Sequence, residues 1–168
     1  MTRPLPSHPF WRFSTRLYAR PGVARASLWL QERCGADVNL LLLCCWLESR
    51  GRAVDARFLA RAAAGVAAWR RDAVEPLRRV RRRLKPGPPG VPAAWCAPVR
   101  AEAQSAELAA EQVEQLLLAR LAARLPRGRA RSVEAASNLD RYRELLGVPA
   151  RREVERRLDV LRAAGAGG

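Results

Sequence analysis

Residues 40–47 read LLLLCCWL, eight consecutive apolar side chains. In a helix such a run points in every direction around the axis, so other elements must enclose it to keep that surface from water. A buried strand would favour β-branched residues, and here leucine dominates. The segment therefore predicts a central helix over about 38–49. With 168 residues, 49% of them apolar, the chain can wrap one core of ordinary size and is too hydrophobic to remain disordered.

The enclosing elements also read as helices. Phe10, Phe13 and Leu17 fall at i, i+3, i+7 behind Pro9, and Val23, Ala26, Ser27, Leu30 and Cys34 share a face that ends at Gly35. Asp37 stands where the central helix needs an N-cap, and Asp55 can cap a fourth helix carrying Phe58, Leu59, Ala62, Val66 and Trp69. Pro76 predicts a kink or a fresh start inside the next stretch, from Asp72 to Lys85. Residues 86–98, PGPPGVPAAWCAP, hold five prolines and two glycines and read as a non-helical internal linker. Beyond it a long helix from near Val99 to Pro126 offers Ala106, Ala110, Val113, Leu117 and Leu121 as a packing stripe. A further helix starts at Ser132 or Asn138 and stops at Gly147, and a last, highly charged one runs from Arg151 to Ala164. The expectation is an all-α fold: a single domain over 8–164, with six or seven helices in an irregular or orthogonal bundle. Residues 1–7 and 165–168 are expected to be flexible tails.

The charge is lopsided. There are 31 basic and 16 acidic residues, giving +15, and residues 1–85 carry +12 of it, 18 bases against 6 acids. Lys85 is the single lysine, a bias that a GC-rich genome would produce, so the excess of base is informative and the choice of arginine is not. No segment has the apolar core of a secretory signal or the ~20 apolar residues of a membrane span. A cytoplasmic protein with its four cysteines as thiols is expected.

Chemistry-bearing patterns are sparse. Cys34, Cys44, Cys45 and Cys96 lack metal-ligand spacing, one histidine cannot serve the usual zinc or triad schemes, and there is no glycine-rich phosphate loop, so no metal, cofactor or catalytic residue is assigned. Glu107, Glu111 and Glu114 share a helix side, which reads as a solvated acidic stripe or as partners for arginines. Arg70, Arg71, Arg78, Arg81, Arg82 and Lys85 fall within an arc of about 120° on a helical wheel, spread along roughly 22 Å, opposite Trp69, Ala73, Leu77, Val80 and Leu84. That pattern predicts a cationic face for an acidic partner, with nucleic acid or ribosome ahead of an acidic protein. The rival expectation is a small-molecule binder or enzyme with a pocket beside Asp37, Asn39, Gln31 and Trp46. Structurally, Asp37 would cap the central helix and Asn39 would satisfy a loop backbone group. Trp11, Trp29, Trp46 and Trp69 read as core fillers.

The stretch FWRFSTRLYARPGVARASLWLQERCGADVNLLLLCCWL resembles a family of small bacterial proteins of unknown function, and the likeness extends more loosely to Trp69-Arg70-Arg71, Pro76-Leu77-Arg78 and Glu107 to Glu111. The resemblance implies one intact helical domain and supplies no activity.

Overall fold

A computed structural model describes residues 5–125 and 137–166. The helices are α1 (Pro9–Tyr18), α2 (Val23–Cys34), α3 (Val38–Ser49), α4 (Ala56–Trp69), α5 (Glu75–Arg83), α6 (Ala93–Ala123), α7 (Asn138–Leu145) and α8 (Arg152–Ala166). A π turn, Arg70–Val74, joins α4 to α5. Counted as one rod, that pair leaves seven helices, and no strand occurs among the described residues.

The apolar run dictates the centre. Every residue from Asn39 to Leu47 is buried, and α3 touches α1, α2, α4, α6, α7 and α8. Asp37 caps it, its Oδ1 accepting from the backbone of Asn39 at 2.8 Å. On one side α1 presents Phe10, Ser14 and Leu17 inward, and Phe10 stacks on Trp46 with ring centroids 5.0 Å apart. Gly22 and Gly35, at φ +82° and +67°, make the left-handed turns that bracket α2. Ser137 and Asp140 form a reciprocal capping box at the start of α7. Ser132, the other candidate start, lies outside the described residues, as does Pro126. From α7, the fully buried Asn138 ties the α3–α4 connection: its Oδ1 accepts from Val54 N at 3.0 Å and its Nδ2 donates to the Arg52 carbonyl at 2.9 Å.

Three boundaries differ from those read in the sequence. The last helix runs on to Ala166, so residues 165–166 belong to it rather than to a tail. The expected kink at Pro76 is absorbed upstream by the π turn, where Glu75 N reaches back five residues to the Arg70 carbonyl. The extra residue lets the ring follow without a broken rod. The linker ends at Pro92, because α6 already begins at Ala93 and includes Pro98. Proline six residues into a helix forgoes one backbone bond, here to the carbonyl of the exposed Ala94, and its fixed φ is helical.

The 31-residue α6 is about 46 Å long and packs antiparallel to α5. Its buried residues include Ala103, Glu107, Ala110, Glu114 and Leu118; of the expected stripe, Ala110 is buried, Leu117 and Leu121 are partly buried against the core, and Ala106 is exposed. Two carboxylates therefore face inward. The end of α6 is held by Arg52, whose guanidinium donates to the carbonyls of Ala122 and Leu125 at 3.1 and 2.9 Å.

Candidate functional site

The six basic residues of the expected face divide. Arg78 is folded inward, donating to Glu107 at 3.0 Å and to Glu111 at 2.8 Å. Arg81 grips Glu107 as well. Arg70 turns toward α3, with Nη1 3.0 Å from Asp37 Oδ2 and Nε 3.2 Å from Glu75. Arg71 pairs with its exposed neighbour Asp72. Arg82 stands 3.9 Å from Glu32, both more than half exposed, and Lys85 is exposed. Arg79 and Arg83, outside the arc drawn on the sequence, are exposed too. Three of the six thus hold the fold together while three remain outward.

The inward set has a physical cause. Glu107 and Glu114 occupy the packing stripe of α6, so their charge must be met where it is buried. Burial opposes ionisation of Glu107, but hydrogen bonds and charge from Arg81 and Arg78 outweigh it and hold its pKa below the ordinary value. Glu111 goes the other way: burial lifts its pKa despite Arg78, and Glu107 adds to the rise.

Asp37 anchors a second cluster. Its backbone N–H donates to the Tyr142 hydroxyl at 2.9 Å, its side chain caps α3, and Arg70 neutralises it. Glu114, 1% exposed, sits against it. Burial, the negative charge of Asp37 and a hydrogen bond to it push the Glu114 carboxyl up to about 9, so it is protonated at neutral pH and donates to Asp37. Asn39 hydrogen-bonds Glu114 and accepts from Gln115 Nε2 at 2.8 Å. Asn39 thus serves a side-chain relay, where the sequence suggests a loop backbone partner.

Between α1, α2, the start of α3, α5 and α6 lies an open groove of about 520 Å³. It brings together Gln31 and Asn39 from one expected site with Arg78, Arg81 and Arg82 from the other. Asp37 is absent from its wall and faces the side of Arg70, while Trp46 borders a separate depression with Phe13 and Arg50. The groove also takes Trp11, Ser14, Tyr18, Leu108 and Gln115, none of which the sequence offers as a ligand contact. A polar residue on the buried face of an amphipathic helix, as Ser14 and Gln115 are, is the signal that could have found them.

Trp69 and Trp29 are structural: the first donates to the Ala110 carbonyl at 2.9 Å, the second lies under Arg157. Trp95 differs, being 72% exposed at the start of α6. Among the described residues no three His, Cys, Asp or Glu side chains gather to hold a metal. Burial raises the thiol pKa of Cys34, Cys44 and Cys45, that of Cys45 to about 12, which lowers their thiolate fraction at neutral pH. No helix among the described residues is long and apolar enough to cross a membrane.

The model of a family described as "Protein of unknown function (DUF2390)" matches residues 9–118. No curated protein and no solved structure matches the chain.

Proposed function

The chain belongs to that family of unknown function, and we propose that it is a non-catalytic binding protein that docks single-stranded nucleic acid through the hairpin of α5 and α6. One observation carries this reading: residues 76–101 contain seven cations and no carboxylate. Arg78 and Arg81 are consumed by Glu107 and Glu111, which leaves Arg79, Arg82, Arg83 and Lys85 in solvent within two helical turns.

Exposed apolar side chains border this charge. On a helical wheel Val80 and Leu84 occupy the flank of α5 turned away from the groove, and Trp95 and Val99 the matching flank of α6. Val80, Trp95 and Val99 are all exposed. Arginines beside a solvent-facing indole supply both parts of single-strand recognition, phosphate neutralisation and a surface on which bases stack. Glu107 and Glu111 are engaged by Arg78 and Arg81, and among the described residues Arg82 reaches only the exposed Glu32, at 3.9 Å.

Fluorescence anisotropy with a 20-nucleotide single-stranded RNA tests the proposal. Neutralising about four phosphates gives a log–log salt slope near −3, a loss of roughly fiftyfold between 50 and 200 mM salt. Arg79→Glu/Arg83→Glu and Trp95→Ala should each weaken binding about tenfold or more. No affinity at 50 mM salt, or affinity indifferent to both changes, refutes it. A protein captured in place of RNA by the same arginines would point to an acidic polypeptide instead.

A further inference from the structure

The groove on the opposite flank of the same hairpin has unfinished chemistry in its wall. Ser14 and Gln115 are 2% and 3% exposed, both line the groove, and Ser14 Oγ and Gln115 Oε1 have no hydrogen-bond partner. Buried polar atoms left in this state cost free energy, so each such atom calls for an explanation.

The direction of the relay fixes what Gln115 presents. Gln115 Nε2 donates to Asn39 Oδ1 at 2.8 Å. The amide atom that remains is the oxygen, an acceptor. Reversing the Gln115 amide would set two carbonyl oxygens against each other. Ser14 can either give or receive.

At the other end, Arg78 and Arg81 are held by Glu107 and Glu111, and Arg82 is the cation most open to an incoming anion. Among the described residues its single carboxylate contact is the exposed Glu32, at 3.9 Å. Glu107, held by Arg81, is eight residues before Gln115 on α6, so the cationic end and the acceptor end are about 12 Å apart. Trp11, Tyr18, Leu42 and Leu108 line the groove with apolar surface. A space of about 520 Å³ is of small-molecule size.

We infer that this groove is a binding site for an elongated small monoanion: its carboxylate or phosphate meets Arg82, its apolar body lies along α6, and a hydroxyl or N–H at its far end donates to Gln115 Oε1 beside Ser14. The inference shares Arg82 with nucleic-acid docking and otherwise uses the other flank of the hairpin, so Arg79→Glu/Arg83→Glu separates the two.

Isothermal titration calorimetry of the full chain with three probes tests it: 10-hydroxydecanoate, decanoate and 1,10-decanediol. The first has all three features, the second lacks the distal donor and the third lacks the anion. The expected result is binding of 10-hydroxydecanoate, with each of the others about tenfold weaker. Arg82→Ala, an exposed change that leaves the core intact, should weaken the two carboxylates and leave the diol unchanged. Gln115→Leu should erase the advantage of 10-hydroxydecanoate over decanoate, and Ser14→Ala should diminish it in a variant that keeps the Asn39 relay. Arg79→Glu/Arg83→Glu should leave the ranking of the probes as it was. No binding of 10-hydroxydecanoate at millimolar concentration, equal affinity for the three probes, or an Arg82→Ala protein indistinguishable from the parent overturns the assignment.

Discussion

α3 and α5 stand at opposite extremes of composition: one is apolar on every side, the other is dominated by arginine. Around α3 nine consecutive residues are buried, whereas α5 contains five arginines in nine residues and no fully buried side chain. A leucine carries its fate with it, because water rejects it wherever it is placed. An arginine is decided by what stands opposite: Arg78 and Arg81 face the carboxylates of α6, and Arg79 and Arg83, on the same helix, face solvent. The same residue type serves as a structural tie or as a free charge depending on a helix some 30 residues away in sequence.

That contrast can be broken by substitution. Leu43→Ala, at a fully buried position on α3, should destabilise by about 2–5 kcal/mol in urea melts, since the removed atoms leave a cavity among packed neighbours. A loss under 1 kcal/mol would mean that α3 is not the enclosed centre. Glu114, facing the start of α3, should give the next largest effect. Its folded pKa of about 9 lies above the ordinary 4.5, so unfolding releases a proton between those values. Stability from this group is intact below about pH 4.5 and declines as pH rises toward 9, by at most about 1.4 kcal/mol per unit. Glu114→Gln has no such proton, so its stability relative to the parent should climb from pH 5 to pH 8; parallel curves would show that the carboxyl is ionised in the fold. Arg78→Ala should cost about 1–2 kcal/mol, because Glu111 loses its partner and the buried Glu107 keeps only Arg81. Arg79→Ala should fall within about 0.5 kcal/mol of the parent, as expected for a solvated side chain. Equal losses at Arg78 and Arg79 would erase the distinction between the two sides of α5.

Much of the fold is legible because it rests on local rules. The caps at Asp37 and Asp55, the glycine stops at Gly35 and Gly147 and the apolar periodicities of α1 and α2 each operate within a few residues. The start of α6 is misjudged because proline density reads as a break, while a single proline near a helix N-terminus removes only one bond. The stripe of α6 is misjudged in part, with Glu107 buried and Ala106 exposed, for a different reason. Alanine and leucine on the flank look more buriable than glutamate, and only the facing arginines make Glu107 an acceptable core residue. Trp95 reads as part of a linker, and its exposure follows from where α6 begins.

The two sites suggested by the sequence become one wall and one surface in the fold. Gln31, Asn39, Arg78, Arg81 and Arg82 share the groove, Asp37 and Trp46 face elsewhere, and Arg71 and Lys85 remain outward. What the chain determined by itself is the α-helical class, the central position of residues 38–49 and the excess of positive charge, since hydrophobic burial, capping and net charge depend on local composition. The pairing of arginines with α6, the proton held by Glu114 and the unsatisfied wall of the groove were decided by tertiary structure alone. Those properties depend on charges and donors separated by tens of residues, and their energies exist only once packing has excluded water and set the distances between them.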